Sequence, residues 1–411
     1  MAEILVLGAG MVGTATALAL QARGHDVVLA DRRAPGQETS YGNAGVIQGE
    51  AAEPYGLPTN PLTLLRLALG AENAVRLTAA GVLGQAGALL RYLNNSRTAR
   101  HRAISAVYAR LTARAIAAHE PLVAASGAAA LMRPHGFRVA FETARAFDAA
   151  RPEAERLAKS YDRGLRLLDG AALARAEPGL RLRYPGAIEW TDCWACSDPG
   201  ALVAGYADLF ARRGGQVTRA EAESLTRAGA GWRVTGPDGP IEAARVVLAL
   251  GPWTPALLKR FGYRAPTVAK RGYHLHLRGA PTLNLPLMDT TVSSVMSPMR
   301  AGLRIATGAE LVPMSAPVNR SQIARAEARA RRMFDLGDAV EATPWVGTRP
   351  CLPGMLPVLG ELRRTPGLWV HFGHGHQGFT LGPVTAELLA ETMAGVPSDL
   401  ASALHPDQAI H

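Results

Sequence analysis

The sequence predicts an α/β protein of two interleaved domains, one discontinuous and built on a parallel sheet, the other combining antiparallel sheet with helices. Three observations predict it. The apolar run Ile4-Leu5-Val6-Leu7 leads through the glycine turn Gly8-Ala9-Gly10-Met11-Val12-Gly13 into a helix over 11–23 and a second strand ending at Asp31. Far along the chain, Val246-Val247-Leu248-Ala249-Leu250 reads as a fully buried strand and also ends in a glycine, Gly251. Between 266 and 308, runs such as Tyr273-His274-Leu275-His276-Leu277 alternate with the period of an antiparallel sheet.

The opening turn carries the most chemistry. Gly8 permits the bend, Gly10 lets backbone approach a pyrophosphate, and Gly13 lets the helix pack on the strand. Free N–H groups at the helix start, with the helix dipole, then face the phosphates. Asp31 lies about twenty residues on, where a carboxylate accepts hydrogen bonds from a ribose hydroxyl. Strand before, helix after and acid at that distance together point to a dinucleotide.

Bulk properties exclude several classes. The chain has 411 residues, enough for two domains, and is 48% hydrophobic and 19% charged. Its formal charge of +10 is mostly arginine spread along an alanine-rich chain, since Lys159, Lys259 and Lys270 are the only lysines. No nucleic-acid-binding motif accompanies it, so nucleic acid is excluded as a partner. Cys193 and Cys196 have CxxC spacing but neither a thioredoxin-like context nor further zinc ligands, so no metal is expected and a reducing compartment is. No basic segment precedes the first apolar run, and no apolar stretch is long enough to span a membrane, so no secretory leader or anchor is expected.

Taken in order, 50–61 is rich in proline and small residues and reads as a lid or channel segment; 62–128 reads as mostly helical. A strand over 136–141, a helix over 144–160, a short helix capped by Asp169 and a strand over 187–190 follow. Ser197-Asp198-Pro199 opens a helix that Gly214-Gly215 closes, and 216–219 is a strand. Gly236-Pro237-Asp238-Gly239 is a hairpin turn, 319–334 a charged amphipathic helix, 368–372 a strand, and 380–394 a final helix. One domain would then comprise 1–60, 195–262 and 340–411, the other 61–194 and 263–339.

With these pieces placed, the chain resembles the FAD-dependent D-amino acid oxidase superfamily over essentially its whole length, and within it the bacterial D-amino acid dehydrogenases. The resemblance rests on Gly8-x-Gly10-x-x-Gly13, Asp31-Arg32, Thr39-Ser40-Tyr41-Gly42-Asn43-Ala44-Gly45, Leu250-Gly251-Pro252-Trp253, Gly347-Thr348-Arg349-Pro350 and Gly373-His374-Gly375-His376-Gln377-Gly378-Phe379-Thr380. It implies a Rossmann-type FAD-binding domain and FAD as cofactor. Gly8, Gly10, Met11, Val12, Gly13, Asp31 and Arg32 would hold its nucleotide half. Ser40, Asn43, Ala44 and Gly45 would run beneath the flavin. Ala222 would touch adenine by its backbone, Gly251 would end a strand beside the pyrophosphate, and Leu250 and Trp253 would also bind the cofactor. Gly375, His376, Gln377, Gly378, Phe379 and Thr380 would lie along the flavin edge.

The resemblance further implies that Arg349 clamps a substrate carboxylate, a task suited to guanidinium. Tyr273 or His274 would face the flavin from the substrate sheet, with Tyr273 favoured, and Tyr55 would reach in from the lid. The implied reaction oxidises a D-amino acid at Cα by hydride transfer to flavin N5, giving an imino acid. Gly136-Phe137-Arg138-Val139, Ser197-Asp198-Pro199-Gly200 and the Gly-His-Gly-His-Gln-Gly run look closer to dehydrogenases of D-proline or D-hydroxyproline. The partners implied are a small amino or imino acid and an electron acceptor such as a quinone or an electron-transfer protein. The chain is expected in the cytoplasm, and its positive charge is compatible with a peripheral contact at the inner face of the cytoplasmic membrane. An oxygen-reducing oxidase and an electron-transferring flavoprotein subunit remain open, the latter leaving the carboxylate clamp without a task.

Overall fold

The computed structural model describes residues 2–58, 60, 73–279 and 283–411. The opening segment forms the strand Ala2–Leu7 and the helix Met11–Gln21, then the strand Val27–Asp31, parallel to the first in the register Leu5↔Val28. Four-residue apolar runs in both strands are buried on both faces, as a parallel sheet requires.

Among the described residues this sheet has eight strands gathered from distant parts of the chain. Gln216–Arg219 extends one side, parallel to Val27–Asp31, and Gly239–Leu248 lies on the other side of Ala2–Leu7. Leu368–Phe372 joins parallel to that strand, in the register Val246↔Leu368. The expected turn at 236–239 is a two-residue connection closing the hairpin of Gly231–Gly236 and Gly239–Leu248. Helices Met11–Gln21, Pro199–Arg212 and Gly378–Met393 cover one face and share a continuous apolar core with it. Gly382 makes the closest of these contacts possible: a Cβ there would come within 2.8 Å of Met11. Asp198 caps its helix as expected, accepting from Ala201 N at 3.0 Å.

The second sheet is mixed and has ten strands among the described residues. Its centre is Val268–Leu277, flanked by Gly302–Ala306 and, antiparallel, by Trp345–Cys351. The last of these sits here, although the stretch from 340 onward reads as part of the first domain in the sequence. Part of the stretch read as helical, 61–72, lies outside the described residues, as does part of the lid segment. Beyond it the chain first makes a short strand, Val75–Leu77, which pairs with Ala309–Leu311 before the helices begin. Three residues supply no helical period to recognise. Within the alternating region read over 266–308, Leu287–Asp289 and Ser294–Met299 form an antiparallel pair. No described helix is long and apolar enough to cross a membrane.

Candidate active site

The parallel strands Ala2–Leu7, Val27–Asp31, Gly239–Leu248 and Leu368–Phe372 all point their carboxyl ends to one edge of the first sheet. Ligands in open parallel sheets bind at that edge, and a cavity of about 560 Å³ opens there. Gly8, Gly10, Met11, Val12, Asp31, Arg32, Ser40, Asn43, Ala222, Leu250, Gly251, Trp253, Gly375, His376, Gly378, Phe379 and Arg349 all line it. The sequence motifs, spread over most of the chain, are thus brought to one place.

Each wall has a local cause. A Cβ on Gly13 would lie 1.8 Å from the Gly8 carbonyl oxygen, so the helix can start so near the strand only with glycine there. A Cβ on Gly10 would meet nothing but Ser40 Oγ, at 3.2 Å, and would take up space at the cavity wall instead. Asp31 Oδ2 accepts from Ala9 N at 2.6 Å and its Oδ1 from Arg33 N at 3.1 Å, which fixes the carboxylate beside the turn. Ser40 Oγ accepts from Met11 N at 2.9 Å and ties the following loop to the helix start. Asn43 Oδ1 accepts from Gly45 N at 2.8 Å and shapes that loop from within. The Arg32 guanidinium lies 4.4 Å over the Trp253 ring and is held there by Glu38.

These residues fit FAD. The glycine turn offers backbone approach and helix-start N–H groups to a pyrophosphate, and Asp31 offers acceptors to a ribose. Ala220 N donates to the main-chain O of Asp31 at 3.1 Å, bringing the strand that carries Ala222 to the same edge of the sheet. Gly378 and Phe379, lining the cavity, begin the helix Gly378–Met393, whose positive end favours negative charge on a ring placed there.

Other expected residues stand behind the wall. Gly13 supports the turn, and Gly45 has φ +72° and packs on the Cys196 carbonyl. Ala44 O accepts from Ser297 Oγ at 2.6 Å. Thr380 Oγ1 accepts from Gln48 N at 3.1 Å, and Gln377 Nε2 donates to Gln48 Oε1 at 3.0 Å. None of these side chains is among the lining residues.

Arg349 reaches the cavity from the second sheet. Its Nη1 donates to Gly308 O at 2.8 Å and its Nη2 to Thr307 O at 3.1 Å. It has no carboxylate partner among the described residues, and burial lowers its pKa from the ordinary arginine value. The guanidinium lies over Gly272, so this is the face of the strand that carries Lys270, Gly272 and His274. Tyr273, the residue favoured in the sequence, is on the other face. Its hydroxyl is bonded to Glu310, and its ring lies in the apolar core of the second domain. Alternation shows that only one of the pair can face the site, but not which, until the register of the neighbouring strand is known. His274 shares Arg349's face but is fully buried and stacked on Trp345 at 4.9 Å, and it does not line the cavity. Tyr55 holds its ring 5.2 Å from His376, and that ring is 64% exposed while the hydroxyl's pKa is raised by desolvation. Tyr55 is not among the residues lining the cavity.

Several lining residues carry no sequence signal. Glu221, Glu223, Ala256, Leu257 and Arg260 come from an edge strand and a short helix whose pattern is ordinary. His371 and His374 sit in or beside the strand Leu368–Phe372; burial keeps both neutral, His374 at about 3. Glu50 is buried, accepts from Cys193 Sγ at 2.8 Å and from Gln48 Nε2 at 2.9 Å, and has its pKa raised by desolvation.

Comparison with known proteins agrees with this geometry. The family model described as FAD dependent oxidoreductase, DAO, matches residues 3–392. A D-amino acid dehydrogenase of Cereibacter sphaeroides is 31% identical over 98% of this chain and 94% of its own length. One from Granulibacter bethesdensis is 29% identical over 96% of each chain. Among solved structures, glycine oxidase from Geobacillus kaustophilus superposes with a TM-score of 0.70 at 20% identity, covering 97% of this chain and 96% of that one. Iminodiacetate oxidase from a Chelativorans species gives 0.69 at 22% identity over 97% and 96%. With its glycine turn, its carboxyl-edge cavity and a family match over nearly its entire length, the chain belongs to the DAO family of FAD-dependent oxidoreductases.

Proposed function

We propose that the chain is a dehydrogenase that oxidises a D-amino acid at Cα, with a primary or secondary reacting nitrogen, to the corresponding imino acid. The observation that carries this reading is Arg349: a guanidinium lining the cavity with no carboxylate partner among the described residues. Two of its N–H groups hold it to the carbonyls of Thr307 and Gly308, and the remaining donors suit an α-carboxylate. Fixing the carboxylate fixes Cα, and orientation of this kind accounts for a large part of a rate enhancement. FAD, when bound, supplies the two-electron acceptor. His376, lining the cavity beside Arg349, has its pKa lowered to about 3 by burial, then by Arg349 and Lys270, so it adds no proton donor at neutral pH. The D configuration is supported by the names of the sequence relatives. D-Proline and D-hydroxyproline are substrates of this kind, and the segments at 136–139 and 197–200 support them. The electron acceptor in this reading is a quinone or an electron-transfer protein, met at the inner face of the cytoplasmic membrane.

The test is anaerobic bleaching of the purified yellow protein by D- and L-amino acids. D-Amino acids should bleach it and their enantiomers should not. Arg349→Ala should raise the apparent KM on the order of a hundredfold. An unchanged KM removes Arg349 from the site, and bleaching by L-amino acids alone overturns the stereochemistry. Rapid reoxidation by air would favour an oxidase over a dehydrogenase.

A further inference from the structure

Lys270 stands directly across from Arg349 in the antiparallel pair of Val268–Leu277 and Trp345–Cys351. Residues directly opposite share a face of the sheet, and like charges so placed destabilise it. The repulsion grows where water is scarce, and no carboxylate among the described residues relieves it. Lys270 Nζ donates to Tyr92 Oη at 3.1 Å and lies 4.3 Å over that ring, while Arg349 is held by two backbone carbonyls; neither has a carboxylate partner among the described residues.

Elsewhere the chain treats buried cations differently. Arg138 is paired with Glu177 and Glu189, Arg271 with Glu310, and Arg329 with Asp289. Arg304 is satisfied by the carbonyls of Tyr41 and Asn43 and by His276. Among the described residues Lys270 spends one of its three donors, on the Tyr92 hydroxyl. Burial works against its charge, and the Cys351 sulfur and the Tyr92 hydroxyl offset that, the net direction of its pKa being upward. Both cations act on the ring of His376, which lines the cavity. Lys270 is not itself a lining residue; it is linked to the cavity through Tyr92, whose hydroxyl donates to Tyr55 O at 2.6 Å, and Tyr55 packs 5.2 Å from the lining residue His376.

We propose that this pair reads a substrate with two acidic groups, Arg349 taking the α-carboxylate and Lys270 a second carboxylate a few bonds away. The inference rests on the amino acid oxidation proposed above and names its substrate class. The spacing suits it. The Arg349 guanidinium leans over Gly272, two residues along the strand from Lys270, while the Lys270 ammonium is drawn to the Tyr92 hydroxyl, so the two charges stand apart on one face of the sheet. A short dicarboxylic amino or imino acid bridges such a gap with one oxygen pair on each cation. Tyr92 sets the ammonium in place by its ring and hydroxyl, so that Lys270 acts as a point charge for the distal group while Arg349 provides the planar fork.

The experiment is anaerobic flavin bleaching of the holoenzyme by D-glutamate and by D-norvaline, which lacks the second carboxylate. D-Glutamate should half-bleach the wild type at a concentration about tenfold or more below that of D-norvaline. Lys270→Met should abolish that preference, and Lys270→Arg should keep it. A second measurement needs no variant: succinate should perturb the wild-type flavin spectrum at about tenfold lower concentration than butyrate. Equal action of the two members of either pair, or a preference that survives in Lys270→Met, overturns the proposal. Bleaching by D-norvaline with none by D-glutamate sinks this inference alone. Failure of every amino acid to bleach sinks the oxidation reading and this one with it.

Discussion

The Arg349 guanidinium lies against the bare Cα of Gly272 on the neighbouring strand, so that a Cβ there would stand 2.7 Å from its Nη2 and 3.0 Å from its Cζ. The obstructed group is the end of a flexible side chain, so Gly272→Ala should fold and displace the arginine. Its KM for amino acid substrates should rise between about ten- and a hundredfold, with a melting temperature close to wild type. A KM within twofold of wild type would mean that the position of the guanidinium does not set substrate affinity.

Two glycines of the first turn should behave differently on substitution. Gly13→Ala drives a Cβ into the Gly8 carbonyl, backbone against backbone, and should yield little folded protein. Gly10→Ala meets only Ser40 Oγ and should fold, but release flavin on gel filtration. The ratio of flavin to protein absorbance, with circular dichroism, separates the two. A Gly10→Ala protein with full flavin content would show that backbone approach at this residue is not needed.

Glu50 has its pKa raised by desolvation, which outweighs the hydrogen bonds from Cys193 and Gln48. A carboxyl whose folded pKa lies above its unfolded one stabilises fully below the unfolded value, and that contribution is lost as pH rises through the folded value. Glu50→Gln should therefore melt higher than wild type at pH 8, and the gap should close towards pH 4. Melting curves across that range check it, and a gap that widens on acidification would reverse the sign.

His119 is fully buried, with Nε2 donating to Phe379 O at 3.0 Å and Nδ1 accepting from Tyr206 Oη at 3.0 Å. Burial lowers its pKa from 6.5 to about 4. The unfolded chain then binds the proton more readily, so stability is full above pH 6.5 and falls as pH drops towards 4, by on the order of 3 kcal/mol for this one group. His119→Gln should flatten that part of the acid profile in chemical denaturation. An unchanged slope would assign the acid sensitivity to other groups.

The nucleotide half of the site was legible because its signals are local. Gly8, Gly10, Gly13 and Asp31 lie within one strand–turn–helix–strand unit, where spacing in sequence fixes spacing in space. The substrate half depends on how strands 70 residues apart are paired. Tyr273 and His274 differ by one pleat, and only the register Lys270↔Arg349 shows which of them shares the face of the arginine. Lys270 carries no motif at all; its meaning comes from the residue opposite. Glu221, Glu223 and Arg260 are likewise ordinary surface choices in sequence, drawn to the cavity by an edge strand and a short helix. The short strand Val75–Leu77 offers no period of its own and exists because Ala309–Leu311 presents a free edge.

The interleaving of the parallel sheet has a bearing on how the protein is made. Its first two strands leave the ribosome before the others, Gly239–Leu248 follows much later, and Leu368–Phe372, with the helix that starts at Gly378, later still. Until then the glycine turn faces a gap, and apolar strands stand with open edges of the kind that attract other nascent chains. Cofactor capture is therefore a late event in biogenesis. A cell short of flavin would accumulate chains lacking the ligand that bridges these distant segments, and such chains are natural clients for chaperones and proteases.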